Sequence, residues 1–302
     1  MLREASHAGE PSETGISRRR FVRFLGRGSA ALTVAGGGGL LYTLVEAKRC
    51  VVERVTLPVP NLPAPFVGMT IAFLVDTHYG PFVSLDYLRG VVAMTNRLGA
   101  DLVALGGDFI QRRRHWYYPS ARACIRPGVD VLADLKAPLG LFAVLGNHDH
   151  WVSAELTRQA LAESGIRNLT NTGLWLERDG TRLRFCGVDD RVMSREDFPA
   201  AISDTRPEDA CIMLAHNPDS VEELSDPRVG LMLSGHTHGG QVVLPLVGAP
   251  IVPSSHGQKY VSGFKQGPTT MVYISRGIGT ISPPVRLNCP PEVTFITLCA
   301  AG

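Results

Sequence analysis

Five short apolar runs in this chain end in the same chemical way, and that repetition constrains the fold more than any other feature. Val75 runs into Asp76-Thr77-His78, Leu105 into Gly106-Gly107-Asp108, and Leu145 into Gly146-Asn147-His148-Asp149. Further on, Leu214 runs into Ala215-His216-Asn217, and Leu233 into Ser234-Gly235-His236-Thr237-His238. Apolar runs of this length, often β-branched, read as strands buried on both faces. The pattern predicts strands at Thr70–Val75, Leu102–Leu105, Leu141–Leu145, Arg182–Val188, Ala210–Leu214, Leu231–Leu233, Thr270–Ser275 and Val293–Leu298. It predicts helices at Ser84–Leu98 and Ser153–Ser164. Each helix opens with a serine that can cap free N–H groups and is followed by a glycine, Gly99 or Gly165, able to take the left-handed stop. Alternation of this kind gives α/β layers with helices outside. The carboxyl ends of strands in such sheets line the ligand crevice, so the five polar ends are expected to converge.

Composition bounds the alternatives. With 302 residues, 44% apolar and 19% charged, the chain is globular, with one large α/β domain or two small ones. The net charge of +2 is uneven: residues 1–27 hold six Arg against three Glu, and the remainder has 24 basic against 25 acidic residues. The basic excess therefore belongs to the first residues and does not argue for nucleic-acid binding. Six cysteines, at 50, 124, 186, 211, 289 and 299, form no C-x-x-C pair. Zinc ribbons and thioredoxin-like redox centres are disfavoured, and Cys186, Cys211 and Cys299 read as small buried hydrophobes.

The five strand ends together offer two Asp, one Asn and four His as ligands. Carboxylate oxygen, amide oxygen and neutral imidazole hold borderline divalent metals. The set is too rich for one four-coordinate zinc and suits two metals sharing a ligand; with no cysteine in it, a structural zinc site is disfavoured. Any one of these segments has an ordinary structural explanation, as a turn, a solvated loop or a core histidine. Their specificity lies in all five occurring in order, each at the end of an apolar run.

The ordered series Asp76-x-His78, Gly107-Asp108, Gly146-Asn147-His148-Asp149, His216 and Gly235-His236-x-His238 resembles the calcineurin-like metallophosphoesterase superfamily, from about Thr70 to the C-terminus. Gly235-His236-Thr237-His238-Gly239-Gly240-Gln241, Ser275-Arg276-Gly277-Ile278-Gly279 and Pro290-Pro291-Glu292 narrow the resemblance to its exported phosphodiesterase branch, related to UDP-2,3-diacylglucosamine hydrolase-like proteins. The resemblance implies a four-layer α-β-β-α sandwich with two mixed sheets around two divalent metal ions, with Mn, Fe, Zn and Co all suited to the ligands. It places Asp76, His78 and His238 on the first metal, Asn147, His216 and His236 on the second, and Asp108 between them. His148 would stabilise the transition state or protonate the leaving oxygen, with Asp149 orienting its imidazole. The implied reaction is in-line attack by water on a phosphoester. Protein phosphatases of the superfamily carry Gly-Asp-x-x-Asp-Arg and Asn-His-Glu; here Gln111 and Asp149 stand at the diagnostic positions, so a phosphoprotein substrate is disfavoured.

Ser17-Arg18-Arg19-Arg20-Phe21-Val22-Arg23 resembles a twin-arginine export signal, followed by an uncharged run from Gly28 to Val45 with four glycines at 36–39. The expected organisation is residues 1–47 as leader or anchor, with cleavage after Ala47 as one outcome, and residues 48–302 as the catalytic domain. Expected partners are the export machinery, the membrane and a phospholipid or cell-wall polymer phosphoester outside the cytoplasm. Arg112-Arg113-Arg114-His115-Trp116-Tyr117-Tyr118 reads either as a rim loop gripping a second phosphate or lipid head, or as a solvated basic loop. Three other readings compete. A UDP-2,3-diacylglucosamine pyrophosphatase-type hydrolase of lipid A biosynthesis conflicts with an exported leader. A non-catalytic, metal-stabilised envelope binding protein would be expected to have lost ligands. A nucleic-acid phosphodiesterase would need a longer basic stripe.

Overall fold

The computed structural model describes residues 38–112 and 120–302. The twin-arginine segment, residues 28–37 of the uncharged run and residues 113–118 of the basic-aromatic stretch lie outside the described residues. Residues 38–46 are helical (α1), and Thr43–Gly302 form one compact unit. Among the described residues no helix is long and apolar enough to cross a membrane.

That unit contains two mixed sheets of six strands each. The first runs, in spatial order, Val51–Val59 (β1), Glu292–Ala300 (β12), Thr70–Leu74 (β2), Leu102–Leu105 (β3), Leu141–Ala143 (β4) and Arg167–Asn168 (β5). The second runs Gly263–Gln266 (β10), Met271–Ile274 (β11), Leu231–Ser234 (β9), Cys211–Leu214 (β8), Thr181–Gly187 (β7) and Thr172–Arg178 (β6). Neighbours β2, β3, β4 and β5 are parallel, as are β7, β8, β9 and β11, so their carboxyl ends share one edge of each sheet. The antiparallel pairs are β12 with β2, β6 with β7 and β10 with β11.

Three apolar clusters build four layers. Phe73, Phe142, Phe185, Leu214, Leu233 and Ile296 meet in the core between the sheets. Helices Leu85–Asn96 (α2), Ala121–Leu132 (α3) and Asn147–Glu163 (α4) cover the outer face of the first sheet, packing Leu88, Val92, Ile125, Val129 and Leu161 against Leu74, Val103 and Leu105. The short helices Phe198–Ala201 (α5) and Ser220–Glu223 (α6) cover the second, where Ala201, Val221 and Leu224 meet Met213, Met232 and Ile274. Each fully buried side chain of this size contributes about 1.5–3 kcal/mol. The result is the α-β-β-α sandwich with two mixed sheets.

All eight predicted strands are present, with shifted ends; β4 stops at Ala143 rather than Leu145. Strands β1, β5, β6 and β10 were not anticipated. They lie at sheet edges and have half-exposed sequences in which charges interrupt the apolar pattern. Helix α3 was also missed, because Pro127-Gly128 inside it reads as a breaker; the fold tolerates that proline at the loss of one backbone hydrogen bond. Ser84 caps α2 as expected, accepting the Tyr87 N–H. Helix α4 consists of two helical pieces that meet at Ser153, where φ is −178° and ψ 99°; Ser153 caps the second piece as expected, its Oγ accepting the Leu156 N–H, and the first piece, from Asn147, was not anticipated. Cys124, Cys186, Cys211 and Cys289 are buried, whereas Cys299, expected inside, is only half-buried.

Candidate metal centre

The convergence of strand ends brings the predicted ligands into two adjoining clusters. Asp76, His78 and His238 form one, and Asp108, His216 and His236 the other, each with its ligand atoms within 4.8 Å of one another. His78 Nε2 lies 3.0 Å from His238 Nε2, and His236 Nδ1 lies 3.3 Å from His216 Nε2. Asp108 sits between the clusters: its Oδ2 is 3.5 Å from His78 Nε2 and 3.3 Å from His216 Nε2. Asp76 Oδ1 lies 3.9 Å from the Nε2 atoms of His78, His216 and His238. Asn147 is buried at the start of α4, next to His148, whose backbone N–H donates to Asp108 Oδ1 at 2.7 Å.

The local backbone is shaped for this convergence. Asp76, His78, Asp108, His236 and His238 all have positive φ, between 45° and 66°. Left-handed backbone is uncommon for residues other than glycine, and such outliers cluster where surrounding structure holds a site. Strands β2, β3 and β9 thus turn sharply at their carboxyl ends, where these ligands meet. Gly146 has a separate reason to be glycine: a Cβ there would stand 2.2 Å from Asp108 Oδ1.

The donors suit divalent cations. Asp76 Oδ1 and Asn147 Oδ1 are buried without a hydrogen-bond partner among the described residues. Unpaired buried oxygens are costly, and a cation is one remedy. Burial, with neighbouring imidazoles adding to it, holds His78 and His238 well below the usual histidine range and His236 down at about 4. These rings are neutral and offer lone pairs, the ligating form. His216 donates its Nδ1–H to the Gly106 carbonyl at 2.9 Å, which turns Nε2 inward. Burial opposes charge on His216 too, but the Asp108 carboxylate outweighs it and raises its proton affinity. Burial would raise Asp108, yet His216, His148 and His78 hold it well below the usual carboxylate range. Asp76, in contrast, is pushed by burial up to about 7. Residues so arranged offer the donors that divalent cations take.

Asp149 does not do what its place beside His148 implied. Its carboxylate accepts three backbone N–H groups, from Asp108 at 2.8 Å, Phe109 at 2.9 Å and Gly146 at 3.0 Å. It therefore pins the Asp108 turn to the start of α4. Burial and the Asp108 charge push its proton affinity up to about 8, and the N–H donors oppose that. His148 is oriented from elsewhere: its Nδ1 accepts the Arg112 backbone N–H at 3.1 Å, and its ring lies against His78 and Trp151. The Arg112 guanidinium lies over the Trp151 ring.

The His150 side chain is buried, its Nε2 in a hydrogen bond 2.6 Å from Asp189 Oδ1. His256 is exposed and packs on Tyr260, while His7 and His115 lie outside the described residues. The two C-terminal motifs meet: Arg276 of the Ser275–Gly279 loop pairs with Glu292 at 2.6 Å.

Two residues escaped the sequence reading. Arg286 is fully buried and donates to the carbonyls of Arg276, Gly279 and Cys289, bracing the loop that packs on Asp76. Nothing in its sequence context marks it. Asp190 is buried, and neither carboxylate oxygen has a hydrogen-bond partner among the described residues. Burial, with Asp108 adding to it, raises it to about 6. A signal for Asp190 did exist, because the predicted strand ending at Val188 also runs into two carboxylates.

The family model for calcineurin-like phosphoesterases matches residues 69–240. The uncharacterized metallophosphoesterase YkuE of Bacillus subtilis is 30% identical over 94% of this chain and 98% of its own length. The phosphodiesterase YaeI of Escherichia coli is 33% identical over 94% of this chain and 99% of its own. An uncharacterized metallophosphoesterase of Aquifex aeolicus is 30% identical over 86% and 96% respectively.

Proposed function

The chain belongs to the calcineurin-like phosphoesterase family, and from that membership and the site geometry we propose a two-metal phosphodiesterase acting on a lipid-linked or polymer phosphodiester of the cell envelope. That it is a phosphoric ester hydrolase follows from the family; the metal count, the residue roles, the substrate and the location are our reading. The observation that carries it is the placement of Asp108 Oδ2 between His78 and His216.

Asp76, His78 and His238 would hold one metal, Asn147, His216 and His236 the other, and Asp108 both. Bound divalent metals supply the Lewis acidity that makes water nucleophilic near neutral pH and offsets charge on phosphoryl oxygens. The protein's own groups then set position and proton traffic. His148 accepts a backbone N–H at Nδ1, so its neutral ring carries the proton on Nε2. Burial keeps that ring below the usual histidine range. It is placed to donate to a phosphoryl oxygen or to the departing alcohol. Arg112, fixed over Trp151, supplies positive charge at the same edge.

The diester preference draws on the similarity to YaeI, and the envelope location on the Ser17–Arg23 motif. Retention of the N-terminal segment is supported by Glu46, a buried residue whose carboxylate accepts the N–H groups of Asn288 and Cys289. Cleavage after Ala47 would strip both donors of their acceptor. The test is turnover of a bis-aryl phosphate by the full chain loaded with Mn²⁺, beside an Asp108→Asn protein. We expect the substitution to abolish turnover; equal rates in the two proteins would refute the assignment.

A further inference from the structure

The surroundings of the metal centre differ in polarity on its two sides. Asn217, the residue after His216, lines an open cavity of about 640 Å³ whose wall is mixed, with Arg191, Glu196, Asp219 and Ser255 beside Val192 and Phe198. Beside His238 lies a cavity of about 290 Å³ walled by Val242, Ile251, Pro253, Ile281 and Val285, with His238 itself in the wall. The cavity beside His238 is the more apolar of the two and suits an aliphatic chain.

The apolar side continues outward. Residues 242–253 read Val-Val-Leu-Pro-Leu-Val-Gly-Ala-Pro-Ile-Val-Pro, twelve positions without one polar side chain. In a soluble protein such a run would be expected inside, yet Leu244, Leu246, Val247 and Ile251 are exposed. Leu246 stands fully in solvent and is held at φ 65°, a conformation leucine rarely adopts. Strain in a projecting apolar tip points from structure to a use. The segment is tied to the end of α1. Val243 N–H donates to the Leu287 carbonyl, Arg286 N–H donates to the Thr43 carbonyl, and Asn288 N–H donates to the Glu46 carboxylate. Leu44 and Val45, also exposed, therefore adjoin the strap, and they end the uncharged run that begins at Gly28.

Building on the phosphodiesterase reading above, we propose that the cavity beside His238 binds the aliphatic chain of a phosphoester lipid, and that residues 242–253 with Leu44 and Val45 rest on the lipid layer supplying it. The layer covers the exposed side chains, the chain enters between Ile251 and Val285, and the phosphodiester comes to lie at the metal centre. The polar head then faces the Arg191–Asn217 cavity. A wholly water-soluble phosphodiester would leave the apolar cavity unused.

The experiment uses the full metal-loaded chain and p-nitrophenyl alkyl phosphates of one, four, eight and twelve carbons, below their aggregation concentrations. The leaving group is constant, so kcat/KM reads only the tail. A buried CH₂ contributes about 0.8 kcal/mol, which sets a ceiling of about fourfold per carbon. We expect a rise of at least tenfold from one to eight carbons, expressed chiefly in KM. Ile251→Glu, at an exposed position, and separately Ile281→Glu should flatten the series, read within each variant as the ratio of the eight-carbon to the one-carbon kcat/KM, with turnover of bis(p-nitrophenyl) phosphate by the wild type as the control. A flat series in the wild type, with that control still hydrolysed, would overturn the chain site and leave the phosphodiesterase reading standing; loss of the control turnover itself would refute that reading instead. Sedimentation with phosphatidylglycerol vesicles tests the strap, where Leu246→Glu with Val247→Glu should reduce binding at least fivefold. Wild-type and variant proteins binding alike, or neither binding, would overturn the docking surface.

Discussion

Replacing Asp149 by alanine should cost stability first and catalysis through it. The side chain is fully buried and satisfies three backbone donors, the N–H groups of Asp108, Phe109 and Gly146. Each buried donor left unpaired costs about 1–3 kcal/mol, and water entering the vacated space would recover part of it, so the net loss is about 4 kcal/mol. For a body of this size a loss of that order lowers Tm by about 8–16 °C. The melts belong in excess chelator, so that metal binding adds nothing to the difference. Asp149→Asn keeps one carbonyl oxygen for two of the three donors and should fall about midway. With Asp108 no longer pinned, metal affinity should also drop, by about 10–100-fold. The alternative, that Asp149 tunes His148, predicts a different pattern: unchanged melting with a displaced limb in the pH profile of kcat/KM. A Tm within 2 °C of wild type for Asp149→Ala, together with such a displacement in Asp149→Asn, would refute the bracing role.

Four further outcomes follow from the same structure. His148→Ala should lower kcat by about 10²–10⁴-fold while metal content, measured on the same sample, stays at the wild-type value. Chelation of the wild type should lower Tm in a way that depends on prior metal concentration, since saturation at about 100 times Kd contributes about 2.7 kcal/mol. Glu46→Ala should lower the urea midpoint by an amount equivalent to about 1–3 kcal/mol, because the Asn288 and Cys289 N–H groups lose their acceptor. Burial pushes Glu196 up to about 7 against the pull of Ser220 and Arg191. Its folded affinity for the proton exceeds the unfolded one, so this residue makes stability fall as pH rises from about 4.5 to 7 and adds no slope above that. Glu196→Gln should therefore match wild type at pH 4 and exceed it at pH 8 by up to about 3 kcal/mol in urea unfolding.

The centre of this molecule was easier to read than its margins, for a physical reason. Few residue types can hold a divalent cation, and buried parallel strands must be apolar, so Leu105-Gly-Gly-Asp108 or Leu233-Ser-Gly-His236 combines two strong constraints in four residues. Edge strands obey neither. β1 reads Val-Val-Glu-Arg-Val-Thr-Leu-Pro-Val, with one half facing solvent, and it pairs on one side alone, with β12. Its identity depends on β12, more than 230 residues away, and no local pattern carries that information. Arg286 is illegible for the same reason, because the carbonyls it serves are assembled by the fold.

Asp149 shows the opposite error, in which adjacency in sequence was taken for adjacency in space. Successive side chains on a helix point about 100° apart. Once α4 begins at Asn147, His148 and Asp149 must diverge: His148 faces His78, while Asp149 turns back to the N–H of Gly146, the residue before the helix. The same geometry accounts for the Asp189-Asp190 pair after β7. Asp189 is consumed by His150 and Arg158, so one carboxylate of the pair is structural, and Asp190 alone is left buried and unpaired beside the centre. Strand ends that carry ligand-type residues are thus necessary for such a site but do not say which residue of each pair serves it. At Asp76, His78, Asp108, His236 and His238 the backbone contributes to that choice, through a positive φ where the strand ends turn toward the centre.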